Sequence, residues 1–302
     1  MGGLAGRYLS PLRYPGGKGK LANFVKLLFL ENDLVGTEYV EPYAGGASVA
    51  LSLLLEDYAE HVHINDINIG VHAFWQAVLH QTDDLCERIE KRPVSIREWH
   101  RQRDVATDPT SQGIDLAFAT FFLNRTNRSG IISGGVIGGL DQAGPWKIDA
   151  RYNKPELIRR IRKISRFRSR ITVTNLDALA FLDGWTKSAG SPRALLYLDP
   201  PYYVKGEGLY DNFYGPEDHK HIAEKVATLA HPWVVTYDAT AAILRLYESY
   251  PAHRYQLSYS AHQGRHVGSE VMFASSDIAL PSEEPSGIAS STVQQARAAL
   301  AL

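Results

Sequence analysis

The sequence predicts an α/β fold in which a mostly parallel sheet is interrupted by a mainly helical insertion. Two short apolar runs, residues 38–40 and 61–65, each lead into a helical pattern, and this alternation is typical of parallel sheets. The alternation stops near residue 72 and resumes near residue 171. With 302 residues, 44% of them hydrophobic and 22% charged, the chain can bury a large core, which excludes a disordered or fibrous protein.

The first part of the chain, residues 1–71, contains two strand–helix units. A glycine-containing loop at 14–20 opens a helix near 21–30, where apolar residues recur at helical spacing. The strand at 38–40 is followed by a glycine-rich turn over 41–48, which indicates a close approach of backbone and ligand. The remaining elements of this part are a helix at 49–55, a strand at 61–65 and a helix at 69–79.

Residues 72–168 break the alternation and are predicted to form the inserted domain. Helical patterns near 72–90 and 114–124 precede a glycine-rich stretch at 129–144, and a basic helix follows near 155–166.

Strand patterns return over residues 169–278, so this part is expected to complete the sheet. From residue 275 onward there is no aromatic residue, and we expect a disordered tail over 279–302, with a loose terminal helix as the alternative. The predicted strands lie at 171–175, 194–198, 233–237, 254–260 and 270–274, with a helix from about residue 178.

The net charge of −1 conceals two basic stretches. The first 26 residues carry five basic residues and no acid, and residues 151–170 carry nine basic residues against one acid, Glu156. Such a chain can present one basic face to phosphates, although a charge run taken alone is more often a solvated helix face. A single cysteine, Cys86, excludes an intrachain disulfide and a cysteine-based zinc cluster, and we expect no metal site. Without a membrane-length apolar run or a signal-peptide core, we expect a cytoplasmic protein with no membrane partner.

The segment Asp199-Pro200-Pro201-Tyr202 follows the nearly continuous apolar strand at 194–198 and is the most informative motif. Ligands of open α/β sheets bind beyond the carboxyl ends of the strands, so Asp199 is expected to face that crevice. The two prolines make a rigid turn with free carbonyl acceptors, and Tyr202 adds an aromatic face. Two acceptors beside an aromatic ring suit an exocyclic amine on a nucleobase.

A second motif, Glu41-Pro42-Tyr43-Ala44-Gly45-Gly46-Ala47, lies at the first strand-to-helix turn. It is not the dinucleotide fingerprint, and Gly16-Gly17-Lys18 does not form a P-loop, so the sequence gives no support to NAD or ATP as ligand. Asp66, at the end of the second strand, is placed where an acid accepts hydrogen bonds from ribose hydroxyls, and it is equally a plausible helix N-cap.

Five segments, taken in order, resemble the Dam-type adenine-specific DNA methyltransferases. The resemblance implies S-adenosylmethionine as cofactor, a Rossmann-like methyltransferase fold with a mixed, mostly parallel seven-stranded sheet, and a helical target-recognition domain inserted at 72–168. It also implies methyl transfer to the N6 amine of a flipped adenine in double-stranded DNA. The segments are Arg13-Tyr14-Pro15-Gly16-Gly17-Lys18, Glu41-Pro42-Tyr43-Ala44-Gly45-Gly46, Asn65-Asp66-Ile67-Asn68, Phe121-Phe122-Leu123-Asn124-Arg125 and Asp199-Pro200-Pro201-Tyr202.

The resemblance assigns roles to individual residues of the cofactor site. Asp177 falls where related enzymes bind the adenine of the cofactor, although it could equally be a helix-capping Asp. The residues that would contact S-adenosylmethionine, or lie where it meets the target base, are Tyr14, Lys18, Asp66 and Asp199. The residues at the methionine end of the cofactor would be Glu41, Tyr43 and Gly45. The catalytic residues would be Asp199, Pro200, Pro201 and Tyr202, with the target adenine stacked on Tyr202.

DNA recognition is expected from the inserted domain. Arg and Asn can read base edges bidentately, whereas basic residues on the 151–170 run would contact phosphates. For Asn124 and Arg125, a structural hydrogen-bond pair that supports the loop is an equally good interpretation. The candidate DNA-binding residues are Asn124, Arg125, Asn127, Arg128, Arg159 and Arg162.

Other functions remain open at this point. The same residues could methylate the exocyclic amine of cytosine, or RNA, although Asp at position 199 favours adenine; a protein glutamine methyltransferase commonly has Asn there. A DNA-binding module that has lost catalysis is the alternative from a different class. As partners we expect double-stranded DNA and, if one exists, a separate cognate restriction enzyme, with the chain a monomer or weak dimer.

Overall fold

A computed structural model describes residues 9–13, 18–186, 193–203, 214–261 and 264–300. In this part of the chain, seven strands form one sheet in the order β3-β2-β1-β4-β5-β7-β6. β1 to β5 run parallel, and β7 is antiparallel to both β5 and β6, so the expected mixed, mostly parallel seven-stranded sheet is confirmed. The strands are β1 (Thr37–Glu41), β2 (Ala59–Asn65), β3 (Ile171–Thr174), β4 (Ala194–Leu198), β5 (Trp233–Asp238), β6 (Ala252–Ala261) and β7 (Gly264–Ala274).

Helices connect the strands, and several begin at side chains that cap their free N–H groups. Asn68 accepts from two backbone N–H groups at the start of α3, and Ser95 and Asn153 cap α5 and α7. None of the helices in the described residues has both the length and the apolar character of a membrane span. The helices are α1 (Ala22–Glu31), α2 (Ser48–Leu55), α3 (Ile69–His80), α4 (Thr82–Lys91), α5 (Ile96–Thr107), α6 (Gly113–Thr126), α7 (Lys154–Ser165), α8 (Ala178–Asp183), α9 (Pro216–Val226), α10 (Ala241–Leu246) and α11 (Ser290–Leu300), with 3₁₀ turns at Lys18–Leu21, Arg128–Gly130 and Arg168–Arg170.

The strand order reverses between β1 and β4. From β1 the chain adds β2 and β3 on one side, and β4 and β5 then build the other side. A cleft lies at the carboxyl ends of these two strands, and ligands of such sheets bind where the strand order reverses. β4 is buried along its whole length, which fixes the position of the turn that follows it.

The predicted insertion packs directly on the sheet domain through α3. Phe74 of α3 stacks on Phe121 of α6 with ring centroids 5.7 Å apart, and Tyr152 packs against the same ring. These residues share one apolar cluster with the strands and with α1. The predicted boundary at residue 72 therefore lies inside α3, a helix that contacts both β3 and α6.

The C-terminal segment forms a helix, the alternative that the sequence left open, in place of the expected disordered tail over 279–302. α11 packs against α1 with Val293 buried. The guanidinium of Arg297 lies 4.6 Å from the centroid of the Tyr58 ring and donates to the carbonyls of Glu56 and Asp57. The partly buried Ile288 and Ala296 pack against the same core cluster.

Candidate active site

Two carboxyl groups meet at the crevice between β1 and β4. Glu41 is the last residue of β1, and Asp199 directly follows β4. The cleft beside them receives residues from the glycine turn, from the ends of β2 and β3, and from the loop after α6. Its lining includes Lys18, Glu41, Pro42, Tyr43, Ala44, Gly46, Ala47, Asn65, Asp66, Ile67, Asn68, Gly130, Ile131, Ile132, Leu176, Ala178, Tyr197, Asp199, Pro201 and Tyr214.

Glu41 is a buried carboxyl at the floor of the cleft, with 6% of its surface exposed. The Tyr39 hydroxyl donates to Oε1 at 3.2 Å, whereas Oε2 has no hydrogen-bond partner among the described residues. Burial raises the pKa of Glu41 to about 8. A buried oxygen without a donor is costly, so this position suits a ligand that brings a cation or an N–H group.

Asp199 keeps 21% of its side chain accessible to the cleft, although protein surrounds the rest. Its Oδ1 accepts from the Lys18 ammonium at 2.9 Å and from the Thr236 hydroxyl at 3.0 Å. Burial raises the pKa of Asp199, and the adjacent Lys18 opposes that rise. The carboxylate is thus held by the protein on one side and open to a ligand on the other.

Lys18 lies at the centre of a buried cluster that the sequence revealed only in part. Its ammonium contacts the Tyr202 hydroxyl at 2.9 Å and Glu270 of β7 at 3.4 Å, in addition to Asp199. Tyr202 is 5% exposed, and its hydroxyl donates to Glu270 at 2.9 Å. The Lys18 ammonium also lies 4.8 Å from the centroid of the Tyr202 ring. The ring of Tyr202 is therefore covered, which corrects the expectation that it forms an open stacking surface.

Asp66 is satisfied by the backbone of the turns around it. One carboxylate oxygen accepts from the Gly45 N–H at 2.8 Å and the other from the Asn68 N–H at 2.9 Å. Burial raises the pKa of Asp66 to about 6, against the effect of these two hydrogen bonds. Asp66 lines the cleft, but each oxygen already has one donor, so its first role is to shape the glycine turn.

The other predicted cofactor residues differ in how closely they approach the cleft. Tyr43 lines it and contacts the Tyr214 hydroxyl at 3.2 Å. Gly45 has φ of +46°, a conformation that favours glycine, and acts through its backbone. Asp177 caps α8 and is exposed, while its neighbours Leu176 and Ala178 line the cleft. Tyr14 lies outside the described residues. In the catalytic motif, Pro201 lines the cleft and Pro200 is buried.

Two of the candidate base-reading residues are buried and hold the fold together. Asn124, 1% exposed, accepts from the Arg13 N–H at 2.7 Å and donates to the Arg13 carbonyl at 2.6 Å. Asn127, fully buried, accepts from the indole N–H of Trp99 and donates to the carbonyls of Ile131 and Ile132. Their amides turn inward because the loop after α6 needs partners for its carbonyls, so the structural interpretation is correct for Asn124.

Arg125 has a structural contact of the same kind. Its guanidinium donates to the Arg151 carbonyl, and burial, together with nearby Arg13 and Arg160, lowers its pKa to about 9. Arg128, Arg159 and Arg162 are exposed.

Much of the basic run at 151–170 is engaged within the protein. Lys154 donates to the carbonyls of Glu90 and Arg92, and Arg170 donates to those of Ala59 and Glu60. Arg160 joins Glu156 to the carbonyl of Ser10. The run is therefore a surface feature that also makes contacts inside the fold, and Arg160 connects the insertion to the N-terminal segment.

The loop after α6 was missed as part of the cleft wall. Gly130, with φ of +81°, packs so closely on the Arg13 carbonyl that a Cβ would lie 2.3 Å from its oxygen. This contact brings Ile131 and Ile132 to the cleft. The only signal in the sequence was the glycine itself, because closeness of two distant backbone segments leaves no periodic pattern.

The lining combines acidic groups with apolar side chains. The carboxyls of Glu41, Asp66 and Asp199 lie at the ends of three neighbouring strands, whereas Ile67 and Leu176, 51% and 46% exposed, present apolar surface beside them. Such a lining fits S-adenosylmethionine, which carries positive charges at its sulfonium and ammonium groups and an apolar adenine ring. The unpartnered Oε2 of Glu41 is the observation that supports this fit most directly.

Comparison with solved structures gives two distant likenesses. One is a Pyrococcus horikoshii protein provisionally assigned as an RNA methyltransferase, at 9% identity and a TM-score of 0.43, covering 91% of this chain and 92% of that one. The other is a Listeria monocytogenes protein provisionally assigned as a class I S-adenosylmethionine-dependent methyltransferase, at 11% identity and a TM-score of 0.36, covering 93% and 69%. Both TM-scores are too low to support an assignment. No curated protein sequence matches the chain.

The family assignment comes from the sequence as a whole. The model of the D12 class N6 adenine-specific DNA methyltransferases matches residues 14–261, from the glycine loop before Lys18 to the end of β6. That span contains the cleft and most of the acidic groups around it, and S-adenosylmethionine is the cofactor of such enzymes. The chain belongs to the D12 class of N6 adenine-specific DNA methyltransferases.

Proposed function

We propose that this methyltransferase modifies the N6 amine of adenine in double-stranded DNA after the base has left the helix. The observation that carries the proposal is Asp199, a carboxylate at the end of β4 that is open to the cleft on one side and held by Lys18 and Thr236 on the other. An amine buried in a duplex cannot reach such a recessed carboxylate, so the base has to be extruded.

The acidic and apolar sides of the cleft would hold the cofactor. Glu41 would take a positively charged group and Asp66 the ribose hydroxyls, while Ile67 and Leu176 would supply apolar surface for the adenine. When bound, S-adenosylmethionine supplies an electrophilic methyl group.

Asp199 then acts on the target amine. Its carboxylate and the Pro200 carbonyl accept the two N–H groups, which orients the nitrogen and weakens the conjugation of its lone pair with the ring. Because the Lys18 and Thr236 contacts converge on Oδ1, Oδ2 is the oxygen we assign to the amine. The carboxylate can also receive the proton that the nitrogen loses after transfer.

The DNA backbone is bound by exposed basic residues near the insertion. Arg128, Arg159 and Arg162 are exposed, unlike Asn124 and Asn127, and they supply charge for phosphates without reading bases.

Transfer of labelled methyl from S-adenosylmethionine to unmodified double-stranded DNA, followed by nucleoside analysis, tests the proposal. We expect label in 6-methyladenine at one short sequence. Label in cytosine, or only in RNA or protein, would overturn the substrate, and DNA binding without transfer would favour an inactive binding module. An oligonucleotide with the target adenine opposite an abasic site should be methylated faster than its paired form, because extrusion then costs less; equal rates would contradict base flipping.

A further inference from the structure

Glu270 is an acidic residue buried inside β7. It is 2% exposed and lies opposite Asp238 of β5 in the antiparallel register. The two carboxylates hold consecutive residues of the catalytic segment, because Glu270 accepts from the Tyr202 hydroxyl and Asp238 accepts from the Tyr203 N–H. The strands β5 and β7 therefore fix the position of the last residue of the Asp-Pro-Pro-Tyr motif and of the residue that follows it.

Glu270 also shares a cation with Asp199. The Lys18 ammonium is 2.9 Å from Asp199 and 3.4 Å from Glu270; Lys18 and Glu270 are buried, and Asp199 is open only towards the cleft. One positive charge thus faces two carboxylates, so any gain in its interaction with one is a loss for the other. Asp199 must accept a hydrogen bond from the substrate in the cleft. Glu270 does not face the cleft, so it can hold Lys18 without competing with the substrate.

We propose that Glu270 is a positioning residue for methyl transfer, which draws Lys18 partly away from Asp199 and anchors the Tyr202 hydroxyl, so that Asp199 stays a strong acceptor in a fixed orientation. The role in transfer rests on the proposed function, but the sharing of Lys18 does not depend on which substrate is methylated. Tyr202 accordingly acts through its hydroxyl, within the cluster.

The direction in which a Glu270 substitution shifts the pKa of Asp199 follows from charge. Removal of the negative charge of Glu270 lowers the pKa of Asp199, because Glu270 raises it and Lys18 is then left to Asp199 alone. Activity that needs ionised Asp199 should then begin at lower pH, while its maximum falls because the carboxylate is a weaker acceptor. The groups that face Asp199 are Lys18, Glu270, Glu41, Thr236, Tyr39, Tyr197 and Tyr255.

The test compares Glu270→Gln, which keeps the shape and a partner for Tyr202, with Glu270→Ala. We expect the maximal kcat to fall about tenfold in Glu270→Gln and further in Glu270→Ala, with the acid limb of the pH profile moved to lower pH in both. The matched control is Glu98→Gln, a buried glutamate of α5 that pairs with Gln102 and should leave the limb in place. A fall in kcat with an unmoved acid limb would mean a purely structural role and would overturn the proposal.

A substrate-free measurement separates this inference from the proposed function. In protein labelled with ¹³C at the aspartate carboxyls, the Asp199 signal is identified by its loss in Asp199→Asn and titrated in the wild type and in Glu270→Gln. A lower pKa of Asp199 in the variant supports the sharing of Lys18 even if the wild type methylates no DNA. An unchanged pKa in a folded variant contradicts it even if transfer to adenine is confirmed.

Discussion

The strand ends around the cleft and the loop after α6 use buried polar side chains in opposite ways. Around the cleft, Glu41 and Asp199 keep an oxygen available although protein encloses them. Asn124, in the last turn of α6, and Asn127, directly after it, spend their amides on backbone groups of that loop and of Arg13, and on Trp99. In the cleft, a buried carboxyl oxygen without a partner among the described residues leaves a place for a donor from a ligand, whereas the amides at the end of α6 are saturated by the fold itself.

Asp199→Ala tests the role of the available carboxylate at the cleft, and we expect it to have the largest effect of the substitutions considered. Loss of the carboxylate removes the acceptor that orients the amine, so we expect the transfer rate to fall by about three orders of magnitude or more, with DNA binding nearly unchanged. Single-turnover transfer and fluorescence anisotropy with the same duplex measure the two quantities. Asp199→Asn, which leaves less of a gap beside Lys18, serves as a control for folding. Transfer near the wild-type rate in either variant would remove Asp199 from the mechanism.

Asn127→Ala tests the structural role of the saturated amides at the end of α6. The substitution leaves the indole N–H of Trp99 and the carbonyls of Ile131 and Ile132 without their partner, so the free energy of unfolding should fall by about 3 kcal/mol. Chemical denaturation followed by tryptophan fluorescence provides the measurement. As a control, Arg101→Ala at an exposed position of α5 should change stability by less than about 0.5 kcal/mol. A stable Asn127→Ala that has lost discrimination between DNA sequences would show that this amide reads bases after all.

The same contrast explains which features of the fold could be predicted from the sequence and which could not. All seven strands were predicted, because apolar runs that end in turns leave a clear pattern. The helix α5 was missed because its buried side consists of Glu98, Trp99 and Gln102, which make no apolar stripe. An Asn in a loop has the same sequence signature whether it bonds a base or a carbonyl. Only the fold decides between them.

The candidate site shows the same limit. Asp66 and Asp199 were proposed because each directly follows a predicted strand, and the carboxyl ends of parallel strands share one edge, whereas Glu41 was proposed from the family resemblance. Glu270 was missed because, inside an antiparallel strand, a single acid is indistinguishable from an outward-facing residue.

Glu41→Gln tests the role of the Glu41 carboxyl, whose Oε2 has no hydrogen-bond partner among the described residues. Its pKa rises from 4.5 to about 8 on folding, so its contribution to stability is complete below 4.5 and is lost as the pH rises through 8. The neutral amide should therefore raise the unfolding temperature at pH 8 relative to the wild type, with little effect at pH 5. The same change should weaken S-adenosylmethionine binding by about tenfold. Because a bound cation favours the ionised carboxylate, we expect the wild type to release a proton on binding at pH 7 and Glu41→Gln to release none.

Calorimetry in two buffers of different ionisation enthalpy measures that proton release, and thermal unfolding at the two pH values measures the stability. Binding that is unaffected in Glu41→Gln would separate the buried carboxyl from the cofactor.

The double substitution Arg159→Gln and Arg162→Gln should give the smallest effect. Both guanidinium groups lie on α7, with side chains 66% and 59% exposed, and each is within reach of an acid, Glu156 or Asp83, that already weakens its field. If they contact phosphates, DNA affinity should fall a few-fold on every sequence and the slope of log K against log salt should become shallower by about 1 to 2. Transfer at saturating DNA should not change, because phosphate contacts position without specifying. Lys220→Gln on α9, an exposed lysine with its own acidic neighbour Glu217, controls for charge alone. An unaltered salt slope in the double variant, equal to that of Lys220→Gln, would place the DNA backbone elsewhere and leave α7 as a tie within the fold.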